Sequence, residues 1–115
     1  MARQTISPVA VPNNKYPTGL TALTFTAADP ANKEQLALTE REILIIWNSG
    51  ATSHTVTINS IADVITGRTG DLTAVSLAAG AFKIFPPAAR NGWMQSNGYL
   101  NFEASDAEVK YAVLQ

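Results

Sequence analysis

Ile43-Leu44-Ile45-Ile46-Trp47, then Asn48-Ser49-Gly50-Ala51-Thr52-Ser53, then His54-Thr55-Val56-Thr57-Ile58-Asn59, reads as strand, turn, strand. The second strand alternates apolar and polar side chains with a period of two, placing Val56 and Ile58 inward and the threonines outward. The first is apolar on both faces, which suits a central strand buried on both sides, with Trp47 in the core.

Outward from this pair the same habit continues. Thr21 to Ala27 alternates Leu23 and Phe25 against Thr24 and Thr26, as a half-buried strand does. Gln35 to Leu38 is a shorter candidate, and Asp29-Pro30 before it also suits the opening of a capped helical turn. Leu72 to Leu77 and Ala81 to Phe85 flank a turn at Ala78-Ala79-Gly80, and Pro86-Pro87 ends the second of them. Asn91-Gly92 and Asn97-Gly98 are hairpin-turn signals, because both residue types accept positive φ. They bracket Trp93 to Ser96 and introduce Tyr99 to Glu103, and Val109 to Leu114 is the last strand. Eight or nine short strands without a helical period predict an all-β protein, an antiparallel β-sandwich or small barrel.

The first twenty residues are of another kind. Pro8, Pro12 and Pro17 deny ladder donors and favour extended backbone, and the segment holds Arg3 and Lys15 but no acid. Residues 1–20 are read as an extended N-terminal arm that stays off the core, and residues 21–115 as the sandwich. Ile6, Val9, Val11, Tyr16 and Leu20 are more apolar than a solvated tail needs. The arm is therefore expected to dock, with Val9, Val11, Lys15 and Tyr16 as its contact residues.

Composition narrows the function. Charged residues are only 15% of the chain and the net charge is −1, against roughly 25% charged residues in an average soluble domain. Such a chain has no basic field for phosphates, so nucleic acid is not an expected partner. The longest apolar run, Ile43 to Trp47, falls far short of the roughly 20 residues of a spanning helix, and no signal-peptide block opens the sequence. No membrane partner and a cytoplasmic synthesis are expected. With no cysteine and a single histidine, His54, neither a cysteine-based nor a histidine-rich metal site is expected, and no cofactor is assigned.

Catalytic patterns are weak. His54 beside Ser53, with Asp29, Asp63 or Asp71, lacks the Gly-x-Ser-x-Gly setting of an activated serine. The nine acids mostly flank turns, where carboxylates are comfortable in water, so no acid pair is assigned to glycoside chemistry. Asp63 to Asp71 lacks EF-hand spacing, and Gly67-Arg68-Thr69-Gly70 lacks the lysine ending of a phosphate loop. The chain is not expected to be an enzyme.

Eighteen alanines and twelve threonines describe instead a flat surface whose burial costs little side-chain entropy. Arg41 to Gly50, Thr55-Val56-Thr57-Ile58, Gly67 to Asp71, Ser76 to Gly80 and Gly92-Trp93 leading to Phe102-Glu103-Ala104-Ser105 resemble small all-β virion proteins of tailed bacteriophages. The chain is similar in size and pattern to the jelly-roll-like decoration, or cement, proteins that stud expanded capsids. That resemblance implies a homo-oligomer, a trimer foremost, bound to the major capsid protein on the virion surface and bridging neighbouring capsomers. A tail- or fibre-associated module that binds carbohydrate or a receptor through Trp93 and Tyr99 is the alternative.

Overall fold

In the computed structural model, which describes residues 2–11, 19–63 and 65–115, the strand-turn-strand segment becomes β4 (Ile43–Asn48) and β5 (His54–Asn59). They lie in different sheets. Before them come β1 (Gln4–Thr5), β2 (Thr26–Ala27) and β3 (Glu34–Ala37); after them β6 (Leu72–Leu77), β7 (Phe82–Phe85), a helical turn α1 (Arg90–Trp93), β8 (Tyr99–Ala104) and β9 (Val109–Leu114). The first sheet runs β1-β3-β8-β5-β6 and the second β2-β9-β4-β7. Every strand pair is antiparallel except β1 with β3. The protein is an all-β sandwich.

Period-two patterning explains how the sheets close on each other. Leu36, Leu44, Ile46, Val56, Ile58, Leu77, Leu100, Phe102, Val109, Tyr111 and Val113 alternate inward and form one buried cluster. Across its middle, Phe102 of the first sheet meets Tyr111 of the second edge-to-face, with ring centroids 4.8 Å apart, a favoured aromatic geometry. At one end the buried Asn48 side chain is fully engaged. Its amide donates to the carbonyls of Thr52 (2.8 Å) and Leu77 (2.9 Å), and its oxygen accepts from Gly50 N (3.0 Å).

The leader differs from the sequence-based expectation over its first half. Gln4 and Thr5 pair with Glu34 and Gln35 on the edge of the first sheet. Ile6 then turns into the core and is only 2% exposed. Val9 N donates to Val113 O (2.7 Å) and Val11 N to Gln115 O (3.0 Å), so residues 9–11 lie along the edge of the second sheet. Arg3 adds bonds to the carbonyls of Glu34 (3.0 Å) and Phe102 (3.3 Å). Residues 2–11 thus clasp both sheets along one side of the sandwich. Three prolines suggested a detached segment, but Pro8 lies at the crossing between sheets, where no ladder donor is required.

This clasp also shortens the strand expected over Thr21 to Ala27. Only Thr26–Ala27 pairs with β9, because residues 9–11 already occupy the edge beside Leu114 and Gln115. Asn91-Gly92 likewise belongs to α1 rather than to a hairpin. Asn97-Gly98 does turn the chain, with Gly98 at φ +88°. Asp29 accepts from the amides of Ala31 and Asn32 (both 3.2 Å) and closes a turn before β3 rather than capping a helix.

Behind the clasp lies Glu34, wholly buried. Its Oε2 accepts from Asp29 N at 2.6 Å, while its Oε1 and the Tyr111 hydroxyl have no hydrogen-bond partner among the described residues. Burial raises the Glu34 pKa above its ordinary value, and burial beside Glu34 pushes the Tyr111 hydroxyl up as well. A carboxyl raised by folding binds more protons folded than unfolded, so its contribution to stability is lost as pH rises from about 4.5 through the raised value. Glu34→Gln, which keeps an acceptor for Asp29 N, is expected to melt higher than the parent at pH 7. That advantage should shrink toward pH 4, and thermal melts at both pH values check it.

Candidate interaction surface

A two-layer sandwich covers only one face of each sheet, and the other face of the second sheet here is apolar. Leu44, Ile46 and Asn48 of β4 point inward, so Ile43, Ile45 and Trp47 point outward and are half-buried. On β7 the register sets Phe82 opposite Trp47 and Ile84 opposite Ile45. Phe82 is 58% and Ile84 66% exposed. Ala112 of β9 pairs with Ile45, and one step beyond the β2 register lies Phe25, beside Ala112. That small side chain leaves room for the Phe25 ring, which reaches Trp47 at 5.4 Å and Phe82 at 6.2 Å. Trp47 and Phe82 stack in parallel at 5.3 Å, 1° from coplanar orientation. Lys110, 5.5 Å from the Trp47 ring, is the one charged residue among the outward positions of β4, β7 and β9. It forms a cation–π contact rather than screening the patch.

Trp47 therefore leaves the core position expected for it. The strand is indeed apolar on both faces, but among the described residues only one face is fully covered. Its replacement by alanine should cost about 1–2 kcal/mol, below the roughly 3–5 kcal/mol of a fully buried aromatic such as Phe102. Parallel urea titrations of Trp47→Ala and Phe102→Ala check that ordering.

The patch continues round the free edge. The leader closes one side of the sandwich, but on the other side β6 and β7 are the unpaired outer strands of their sheets. Between them runs an apolar slot of about 100 Å³ lined by Val56, Ile58, Leu72, Val75, Ile84 and Phe85, among others. Natural sheets guard such an edge with a charge. Here the guard is a single lysine: Lys83 of β7 reaches across the slot and donates to Ser76 O of β6 at 2.9 Å.

The residues singled out from sequence do not gather into one site. Val9 is held by β9 through backbone bonds on both its amide and its carbonyl. Val11, two residues on beside Gln115, is 58% exposed. Lys15 and Tyr16 lie outside the described residues. Trp93 packs edge-to-face on Phe85 at 5.0 Å and borders a polar cleft with Asp63, Thr66, Arg68 and Asn91. Tyr99 sits opposite Ala37 on the outer face of the first sheet and does not line that cleft. Among the acids, Asp63 accepts from Ile65 N and Thr66 N, and Asp71 from the amide and hydroxyl of Ser60. These bonds hold both carboxyls below the usual range, as the Asn32 bonds do for Asp29. Such acids are loop braces.

No protein-family model matches the chain, and neither does any curated protein or solved structure. Among the described residues, no helix is long and apolar enough to cross a membrane. The surface must therefore be read from its own chemistry. No contact role is assigned to Phe25, Phe82 or Ile84 from sequence. The signal was present in Phe82-Lys83-Ile84-Phe85, where Phe82 and Ile84 share one face and Lys83 falls on the other.

Proposed function

We propose that the chain is a structural protein of a tailed-bacteriophage virion, a decoration protein that lies on the head and bridges capsomers of the major capsid protein. The observation that carries this reading is the uncovered apolar outer face of β4 and β7. Fully burying a large apolar side chain stabilises by about 1.5–3 kcal/mol, so exposed Phe82 and Ile84 leave much of that gain to a partner. Few charged side chains need desolvation or ordering there, which suits a wide protein–protein contact.

The strand order supports a jelly-roll wrap. β2 pairs with β9, β3 with β8, β4 with β7 and β5 with β6, as in one long eight-strand hairpin. Rolling that hairpin up adds the pairs β4–β9 and β5–β8, which is how two interlocked Greek keys arise. In this reading a homotrimer presents three copies of the apolar face to the shell, and modest single contacts act together. The contact role passes from the arm, whose first half belongs to the body, to the second sheet. Of the described contact candidates of the arm, Val9 is tied to the sheet edge and Val11 stays exposed.

The test is capture of the purified chain by expanded, empty heads of a tailed phage, followed by heating of the decorated particles. Saturable capture at a fixed ratio to the major capsid protein, with a higher bursting temperature, is the expected result. No capture, together with binding to glycans that Trp93→Ala abolishes, would favour a receptor-binding module built on the polar cleft beside Trp93.

A further inference from the structure

At the end of the sandwich near Asn48, three metal-ligating side chains meet from different segments. His54 opens β5, while Asp106 and Glu108 belong to the turn between β8 and β9. One ligand atom of each lies within 4.8 Å of the other two, and His54 Nε2 stands 2.9 Å from Glu108 Oε1. The imidazole is only 13% exposed and the Glu108 side chain 51%.

The backbone holds this group in place. Ser49 donates to the Glu108 carbonyl through its amide (2.9 Å) and its hydroxyl (2.7 Å). Asp106 Oδ1 accepts from Glu108 N at 2.9 Å, which leaves its second oxygen for a ligand. Gly50 lies directly under the Glu108 carboxylate, where a Cβ would collide with it. Two carboxylates without a lysine or arginine partner among the described residues, beside one imidazole, are an arrangement that a dication completes.

We propose that His54, Asp106 and Glu108 bind a divalent transition-metal ion of the zinc class. A nitrogen and two carboxylate oxygens suit such an ion, whereas calcium asks for six to eight oxygens. Ligands about 2.0–2.2 Å from one tetrahedral ion stand about 3.2–3.6 Å apart. The His54–Glu108 pair must therefore open by a few tenths of an ångström and the widest pair close by roughly one, which the exposed Glu108 side chain permits. A fourth position stays open to water or to a partner's side chain. The bound ion ties the start of β5 in the first sheet to the approach to β9 in the second.

His54 is the only histidine, so its ring signals in an NMR spectrum of the tag-free full chain report the site alone. Titration with zinc chloride should shift them in a saturable manner at one equivalent, reversibly with EDTA, and raise the melting temperature. Asp106→Asn and Glu108→Gln should each weaken binding at least tenfold while the rest of the amide spectrum stays in place. Magnesium at the same concentration should do nothing. Ring signals unmoved at millimolar zinc would overturn the proposal. So would an unchanged titration in the doubly substituted protein, since the imidazole alone would then be taking the ion.

Discussion

Ile6→Ala is expected to destabilise the protein by about 2–5 kcal/mol, the range for truncating a buried isoleucine, and Ile6→Asp to prevent folding. The reason is position. Among the described residues of the leader, Ile6 is the side chain that enters the core, at 2% exposure. It enters between the β1–β3 pairing on one sheet and the Val9–Leu114 bridge on the other. Removing residues 2–11 altogether should be worse, because the edges of β3 and β9 would open and Glu34 would lose its burial. The Arg3 bonds to Glu34 O and Phe102 O would go too. Urea unfolding of Ile6→Ala and Ile6→Val measures the effect, with the valine variant expected to lose only about 0.5–1.5 kcal/mol. An Ile6→Ala midpoint equal to the parent's would mean that the leader is a free arm after all.

The second large effect concerns binding rather than folding. Phe82→Ser with Ile84→Ser is expected to leave the sandwich folded and to weaken capture by phage heads roughly a hundredfold. Two apolar side chains at a minimum of about 1.5 kcal/mol each give about 3 kcal/mol, and each 1.4 kcal/mol is tenfold in affinity. Stability should change little, because both side chains are already more than half in water. A serine pair that unfolds the protein would show that the face belongs to the core. One that folds and is still captured normally would show that the contact lies elsewhere.

Much of the fold is legible in the residues, and the misreadings share a cause. His54 to Asn59 and Val109 to Leu114 form strands over the expected residues, since alternation and flanking turns are local signals. Ile43 to Trp47 is also a strand, but its two apolar faces carry a second message. Among the described residues no third layer covers the outer face of β4, so an all-apolar central strand leaves apolar side chains half-exposed at the surface. Reading Trp47 as core missed this. The leader was misjudged for another reason: its partners Glu34, Gln35 and Val113 are distant in sequence, and no local pattern reports a parallel edge pairing. The His54, Asp106 and Glu108 cluster is hidden in the same way, because 52 residues separate His54 from Asp106 and only the strand order brings the β8–β9 turn beside β5.

Hydroxyl-radical labelling of the free and the head-bound protein, read residue by residue, tests most directly whether the protein works through the outer face of its second sheet. Labelling of Trp47, Phe82 and Ile84 should fall several-fold on binding, while Tyr99, on the opposite sheet, keeps its reactivity. Unchanged labelling of the three apolar residues in a saturated complex, with protection confined to the first sheet or to the cleft beside Trp93, would contradict the account.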